Sequence, residues 1–438
     1  MMEVSPSWSS QMNGGFLSSV LFSSPSKKMQ GSATLAPSLR TPRSSTFSSG
    51  FFDNALIDDI VQQSNAYHEY LMNKDVYPPS SRMHQGKPID INEMRIFLCL
   101  CMAMAHVKKH RINDYWSTDF LISTPIFGTI MSRDRFLLIL RHLHFSDNQN
   151  DANHRLSKIG RVMIDIRHKF STKFKPFQDL CIDESLVLWR GRLVFRQYMP
   201  NKRHRFGLKL FLICDVETGI ILDFILYTGA QTEVQVDSKF GFAGSIVNAL
   251  IEPYLGKGHN LFTDSYYASP ILFEHLQQNS TGACGTVRPN RKGVPSFPAV
   301  NRGEVSACHK NNMMCFKWSA KRMVHMLTSI HKNEIIQTEK RDYSTGEPIR
   351  KPEAVVDYTR KMRIIDKADM LLSCVDSLRK SIKWYKILFF HIVDMARLNS
   401  YYMYLVKTGN RPSFLEFNHT MLHQMLVRYR EQQVRTPH

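Results

Sequence analysis

Acidic residues stand in this chain where acids are costly. Asp183 and Glu184 interrupt an apolar run, 180–188, that has the length and composition of a buried strand. A carboxylate there is unfavourable unless it is paired or holds a metal. A later short strand, 259–263, ends at Asp264, and Asp366 and Asp369 open an amphipathic run, 366–378. Spacing i, i+3 puts that last pair on one helical face. A strand-edge salt bridge would account for Asp183 and Glu184 alone, since basic residues crowd the same stretch. Strand ends and a helix start can also bring all these acids together in an α/β domain. Converging carboxylates suit Mg²⁺: hard cations take oxygen ligands, and two metals roughly 3.5–4 Å apart can hold the attacking and leaving oxygens of a phosphodiester.

The elements that must position the acids follow from apolar periodicity and breakers. Runs 180–188, 207–214 and 220–227 read as successive strands of one sheet, separated by Arg190-Gly191-Arg192, Pro200-Asn201 and Glu217-Thr218-Gly219. A crossover helix is expected over 236–251, a helix over 269–278 and a strand over 281–287. Segments 313–318 and 323–329 alternate like antiparallel strands. Upstream, Asp90 and Glu93 form a capping-box start for a helix through 94–106, and 161–174 is a further helix, basic on its exposed side. The whole reads as an α/β protein divided into a Ser-rich disordered tail (1–50), a helical region (51–175), a sheet-bearing core (176–293 and 356–408), a β-rich insertion between them (294–355) and a helical tail (409–438).

Lys and Arg total 57 against 38 Asp and Glu, a formal net charge of +19, so a polyanion is the expected partner, nucleic acid first. An anionic membrane is the rival, but the longest apolar stretch, 96–105, is far short of a span. No basic n-region with a clear apolar h-region stands at residues 1–30, so a secretory signal is not expected. The eight Cys are scattered without a C-x-x-C pair, the usage of reduced thiols in a cytosolic or nuclear protein. Cys308, His309, Cys315, His325 and His331 have no finger spacing. Lys202, Arg203 and Arg205 lie in a dense basic strand connection suited to phosphates, or to plain solvation.

Ordered motifs carry a resemblance. They are Asp183-Glu184-Ser185 with Gly191-Arg192, Gln197-Tyr198-Met199-Pro200-Asn201-Lys202, Gly207-Leu208-Lys209-Leu210-Phe211, Thr218-Gly219, Leu222-Asp223-Phe224, Tyr227-Thr228-Gly229, Phe262-Thr263-Asp264-Ser265-Tyr266-Tyr267 and Gly285-Thr286-Val287-Arg288. In this order and with these gaps, residues 51–405 resemble the piggyBac-type DNA transposases and the piggyBac transposable element-derived proteins. The resemblance implies a ribonuclease H-like core with a β-rich insertion and a helical N-terminal region. It implies a DDE/DDD set of Asp183, Asp264 and Asp366, with Asp369 accompanying, binding Mg²⁺ with Mn²⁺ as a substitute. It also implies a nuclear homodimer acting on double-stranded DNA, both transposon ends and target, with excision and integration at TTAA. Arg288, Arg291 and Lys292 would grip the DNA backbone near the cut. Trp384 matches a family tryptophan and would either stack on an unpaired base or pack in the core.

The chain also departs from the pattern. Arg363-Ile364-Ile365 stands where a glycine pair commonly precedes the third acid, Met370 where Gln is common, and Ser265 where Asn often follows the second acid. No Cys follows Cys374, so the Cys-rich zinc domain common at the end of such enzymes is not expected. Two readings stay open: an active cutting and joining enzyme, and a domesticated, non-catalytic nuclear DNA-binding or regulatory protein that keeps the fold.

Overall fold

A short edge strand, β1 (Ser9–Gln11), begins the described part of the chain. The computed structural model describes residues 8–11, 50–147, 154–200, 202, 204–377 and 381–435. β1 pairs antiparallel with a much later strand, and the Trp8 indole donates to the Gly293 carbonyl at 3.0 Å. This corrects the expectation that all of 1–50 is disordered: the edge of a sheet offers unpaired backbone groups, and a short segment satisfies them despite its polar composition. The rest of 1–49 lies outside the described residues.

Helices follow, as the apolar periodicity of 51–175 requires: α1 (Asn54–Lys74), α2 (Ile91–Ala103), α3 (Pro125–Ile130), α4 (Arg133–His142) and α5 (Gly160–Lys173). Asp53 caps α1 by accepting from the Leu56 amide at 3.0 Å, and Asp90 caps α2 by accepting from Glu93 at 2.8 Å. Glu93 then pairs with Arg135 at 2.5 Å, which ties α2 to α4. α2 is buried almost all round, including Phe97, Cys99, Leu100 and Cys101. That burial explains its lack of a polar face.

The sheet carries the site. It comprises β2 (Asp179–Leu188), β3 (Gln197–Tyr198), β4 (Phe206–Asp215), β5 (Ile221–Leu226), a crossover helix α6 (Gly241–Ile251), β6 (Asn260–Thr263), α7 (Pro270–Gln278) and β7 (Gly282–Thr286). The crossover helix starts later than the periodicity suggested. A turn in which the Asp237 carbonyl accepts from Phe240 and Gly241 precedes it, with Gly241 at φ +66°. β2 is parallel to β6, and β6 to β7, while β4 and β5 are antiparallel to their neighbours. Gly207 and Gly285 sit where strands crowd: a Cβ there would lie 2.1 Å from the Val187 carbonyl oxygen and 2.5 Å from that of Thr263.

The expected β-rich insertion is not a body apart. β8 (Val305–Lys310), β9 (Met313–Ser319) and β10 (Met323–Thr328) form a meander, and β10 pairs with β7 through Leu327 and Gly285. One ten-stranded mixed sheet results, in the order β1-β8-β9-β10-β7-β6-β2-β4-β3 with β5 also on β4. A separate hairpin of β11 (Ile335–Arg341) and β12 (Pro348–Pro352) leads into α8 (Glu353–Lys361). Then come α9 (Ile364–Cys374), α10 (Trp384–Thr408) and α11 (Phe414–Arg435). α9 lies across β2 and β4, and α11 returns against α2 and α10. The last two helices thus close the helical layer onto the sheet, around buried Phe389, Phe390, Phe417 and Met421.

Candidate active site

β2 and β6 are neighbouring parallel strands in register, with Ile182 opposite Thr263. Asp183 and Asp264 are the next residue on each, so the pairing alone puts two acids side by side; hydrogen-bonded strands run about 4.8 Å apart. Asp264 closes a turn. Its carboxylate accepts from the Tyr266 amide at 2.8 Å, and its carbonyl accepts from Tyr267 and Ala268 at 3.2 and 3.1 Å. Glu184, adjacent to Asp183 and so on the opposite face of β2, accepts from the buried Tyr267 hydroxyl at 3.0 Å.

Ser185 shares the Asp183 face of β2, two residues on. Its hydroxyl donates to Asp369 Oδ1 at 2.5 Å, which fastens α9 to the strand. Lys202, from the loop between β3 and β4, spans the helical acid pair: its ammonium lies 3.1 Å from Asp366 Oδ1 and 3.9 Å from Asp369 Oδ2. Asp366 is otherwise exposed, with 68% of its side chain open to solvent. The expected helix over 366–378 begins earlier, at Ile364, and this seats Asp366 in its first turn, where the N–H dipoles favour an anion.

Burial dominates the electrostatics. It pushes the Asp183 carboxyl up to about 8, helped by the neighbouring negative charge of Glu184 and opposed by Lys202. Burial also raises Asp264, against the Tyr266 hydrogen bond, and raises Asp369 to about 6, against the Ser185 hydrogen bond and the Lys202 charge. Burial works against the Lys202 charge, but Asp183, Asp369 and Asp366 outweigh it and raise its pKa. The chamber is therefore short of positive charge even with Lys202 in it. That deficit, and a donor set made of carboxylate oxygens, fits a hard divalent cation. Among the described residues, however, no group of three or more His, Cys, Asp or Glu is close enough together to hold a metal ion. Asp366 is bound to Lys202 instead, and the Cys308–His331 stretch shows no such grouping either.

The basic residues expected to meet DNA divide. Arg288 and Lys292 are exposed beyond β7. Arg291 is half-buried and donates to the Ser265 and Tyr266 carbonyls, both at 2.8 Å, so it braces the Asp264 turn. Arg205 is exposed at the start of β4, and Arg203 lies outside the described residues. Trp384, half-buried at the start of α10, packs edge-on to buried Phe195 with ring centroids 5.2 Å apart. Asp223 of the Leu-Asp-Phe motif is paired with Arg167 of α5 at 2.8 Å, a structural role. Sequence reasoning missed Ser185, Tyr267 and Lys209. Each lies inside one of the ordered motifs, but nothing local says what it touches. Lys209 sits 4.7 Å from the ring centroids of both Phe211 and Tyr266, behind the acids.

Comparison with known proteins agrees with this architecture. The family model described as Transposase IS4 matches residues 44–401. PiggyBac transposable element-derived protein 3 of Homo sapiens is 26% identical over 388 residues, covering 84% of this chain and 62% of that protein. PiggyBac transposable element-derived protein 2 of Homo sapiens is 21% identical over 372 residues, covering 81% of this chain and 60% of that protein. The chain thus spans about three fifths of the length of these relatives. A cryo-EM structure of the piggyBac transposase synaptic complex with hairpin DNA superposes with a TM-score of 0.76 at 22% identity, covering 90% of this chain and 82% of that one. The fold is that of piggyBac transposase, with its ribonuclease H-like core. With more than half of its length matched by the family model, this chain belongs to the IS4/piggyBac-type family of DDE transposases.

Proposed function

We propose that this protein cuts and joins DNA strands at Asp183, Asp264 and Asp366, with Mg²⁺ as cofactor and Mn²⁺ as a substitute. The observation that carries this reading is the register of β2 and β6: a half-buried acid within β2 stands beside a half-buried acid just past the end of β6, and a helix bearing two more is fastened to β2 through Ser185. Asp183, Asp264 and Asp366 would supply the cation's carboxylate oxygens once drawn closer together than they stand here, with Asp366 released by Lys202, and Asp369 fixes the orientation of α9 through Ser185. Bound there, the metal would acidify a water and stabilise the departing 3′-oxygen of a phosphodiester. Arg291 holds the Asp264 turn rigid, and Tyr267 keeps Glu184 turned away from the acids. Arg288 and Lys292 meet the phosphates of double-stranded DNA, both element ends and target. Excision followed by integration at TTAA, in a nuclear homodimer that joins two ends, is the corresponding cellular activity.

A second reading is a domesticated DNA binder that does not cut. The Lys202 bridge favours it, because an ammonium already neutralises the acids that the third metal position needs. Mg²⁺-dependent cleavage of DNA carrying the flanking sequence of the protein's own locus separates the two. On the first reading, the wild-type chain cuts, and Asp183→Asn and Asp264→Asn bind DNA with the same salt dependence but do not cut. Cutting retained in both variants overturns the assignment of these acids. Salt-dependent binding of genuine element ends without any cutting by the wild type supports the second reading.

A further inference from the structure

Beside the acid chamber lies an open cleft of about 540 Å³, lined by Leu188, Arg190, Arg196, His204, Arg205 and Phe206. Its volume is in the range of sites for small organic ligands. Two features distinguish it from ordinary basic surface. The first is an aromatic pair at its rim, of which Phe206 lines the cleft and Tyr198 lies against Phe206 just outside it. Tyr198 of β3 and Phe206 of β4 are register partners on the sheet edge, and their rings lie 4.8 Å apart, tilted by 36°. Both are open to water, at 56% and 42% exposure. The second is that one of the cations is held in place. Arg196 donates to the carbonyls of Arg190 and Gly191 at 3.0 and 3.3 Å, and its guanidinium lies 5.1 Å from the Phe206 ring centroid.

We infer that this cleft is a site for an unpaired nucleotide of single-stranded DNA, its base stacked on Tyr198 and Phe206 and its phosphates met by Arg190, Arg196 and Arg205. The inference rests on the DNA reading above and adds a ligand class to it. Phosphate attraction alone would need only the arginines, and exposed rings gain nothing from a duplex whose base faces are already stacked inside it. A base freed from pairing presents its face, and rings flanked by Arg recognise that face whatever its sequence. Position supports the same ligand. A neighbouring chamber of about 470 Å³ is lined by Lys202, Asp366 and Asp369, and it shares Leu188 and His204 with the cleft. The two hollows are therefore adjacent, and a strand end opened next to the cut at the acids is the segment within reach of the cleft.

The test uses the full chain, a blunt duplex and the same duplex with a single-stranded overhang carrying 2-aminopurine. Wild type is expected to bind the overhang more tightly than the blunt duplex, with the probe's emission changing on binding. Tyr198→Ala should weaken overhang binding by about tenfold while leaving the blunt duplex within about twofold, and Tyr198→Phe should restore it. Tyr198 is exposed, so the change is not expected to unfold the chain; Phe206→Ala is the second variant, paired with a thermal midpoint. Equal affinity of wild type for both probes, or an equal loss on both in Tyr198→Ala, overturns the inference and leaves a duplex-phosphate surface. A wild-type chain that binds neither probe overturns the DNA reading itself.

Discussion

The Lys202 ammonium lies 3.1 Å from Asp366 Oδ1, although the two residues are 164 positions apart in the chain. It sits where a divalent cation would need the same oxygen. At an effective dielectric constant near 20, opposite unit charges at such a separation interact by about 5 kcal/mol, so the two cations compete. Lys202→Met should therefore bind Mn²⁺ more tightly, on the order of tenfold, in a calorimetric titration of the DNA-free protein. Without metal, the same variant should lose thermal stability, because Asp183, Asp366 and Asp369 lose the cation that offsets them. Unchanged or weaker Mn²⁺ binding would show that Lys202 supports the cation position and does not contest it.

Arg288 and Lys292 should behave unlike Arg291. Each of the first two is exposed, so Arg288→Ala and Lys292→Ala should each lower the slope of log affinity against log salt by about one, at an unchanged thermal midpoint. Arg291→Ala should instead lower the midpoint, by about 1–3 kcal/mol of stability, because it strips charged donors from two carbonyls of the Asp264 turn. A salt-slope change from Arg291→Ala at constant stability would return that residue to the DNA surface.

Asp357 supplies the pH dependence. Burial would raise its carboxyl, but hydrogen bonds from His331, Lys361 and Arg360 hold it well below the usual carboxylate range. A depressed native pKa contributes stability above the unfolded value of about 3.9 and loses it as pH falls through the folded value. Asp357→Asn is expected to cost about 1–3 kcal/mol at pH 7, with the gap from wild type closing as pH drops below about 4. A gap that stays constant across this range, in denaturant titrations, would rule out the ion-pair origin.

The buried pair Asp394–Arg397 anchors the helical layer. The Arg397 side chain is fully buried, 2.9 Å from Asp394 Oδ1, and donates at 2.9 Å to the side chains of Ser377 and Asn418. Burial pushes Asp394 up to about 7 even with Arg397 and Ser377 opposing. Arg397→Met strands that carboxylate and should cost about 3–5 kcal/mol in chemical denaturation. The double change Arg397→Met, Asp394→Leu should recover much of the loss. If the two single losses simply add in the double variant, the pair is not coupled.

Local chemistry makes much of this protein legible in its sequence. Strand runs at 180–188 and 207–214 announce themselves by β-branched and aromatic content between breakers, and Asp90 with Glu93 announces a helix start, because these preferences act over a few residues. The acids Asp183, Asp264, Asp366 and Asp369 stand out for the same reason: each is a charge at an element's interior or end. Only the tertiary structure decided what those charges meet. The β2–β6 register brings Asp183 beside Asp264, Ser185 reaches Asp369 across 184 positions, and Lys202 takes Asp366. It also joined β8–β10 to the main sheet through β7, and gave Arg291 to the carbonyls of Ser265 and Tyr266. Pairing register and long-range ion pairs depend on which surfaces remain unsatisfied once distant elements pack, and that is a property of the assembled fold, not of any window of sequence.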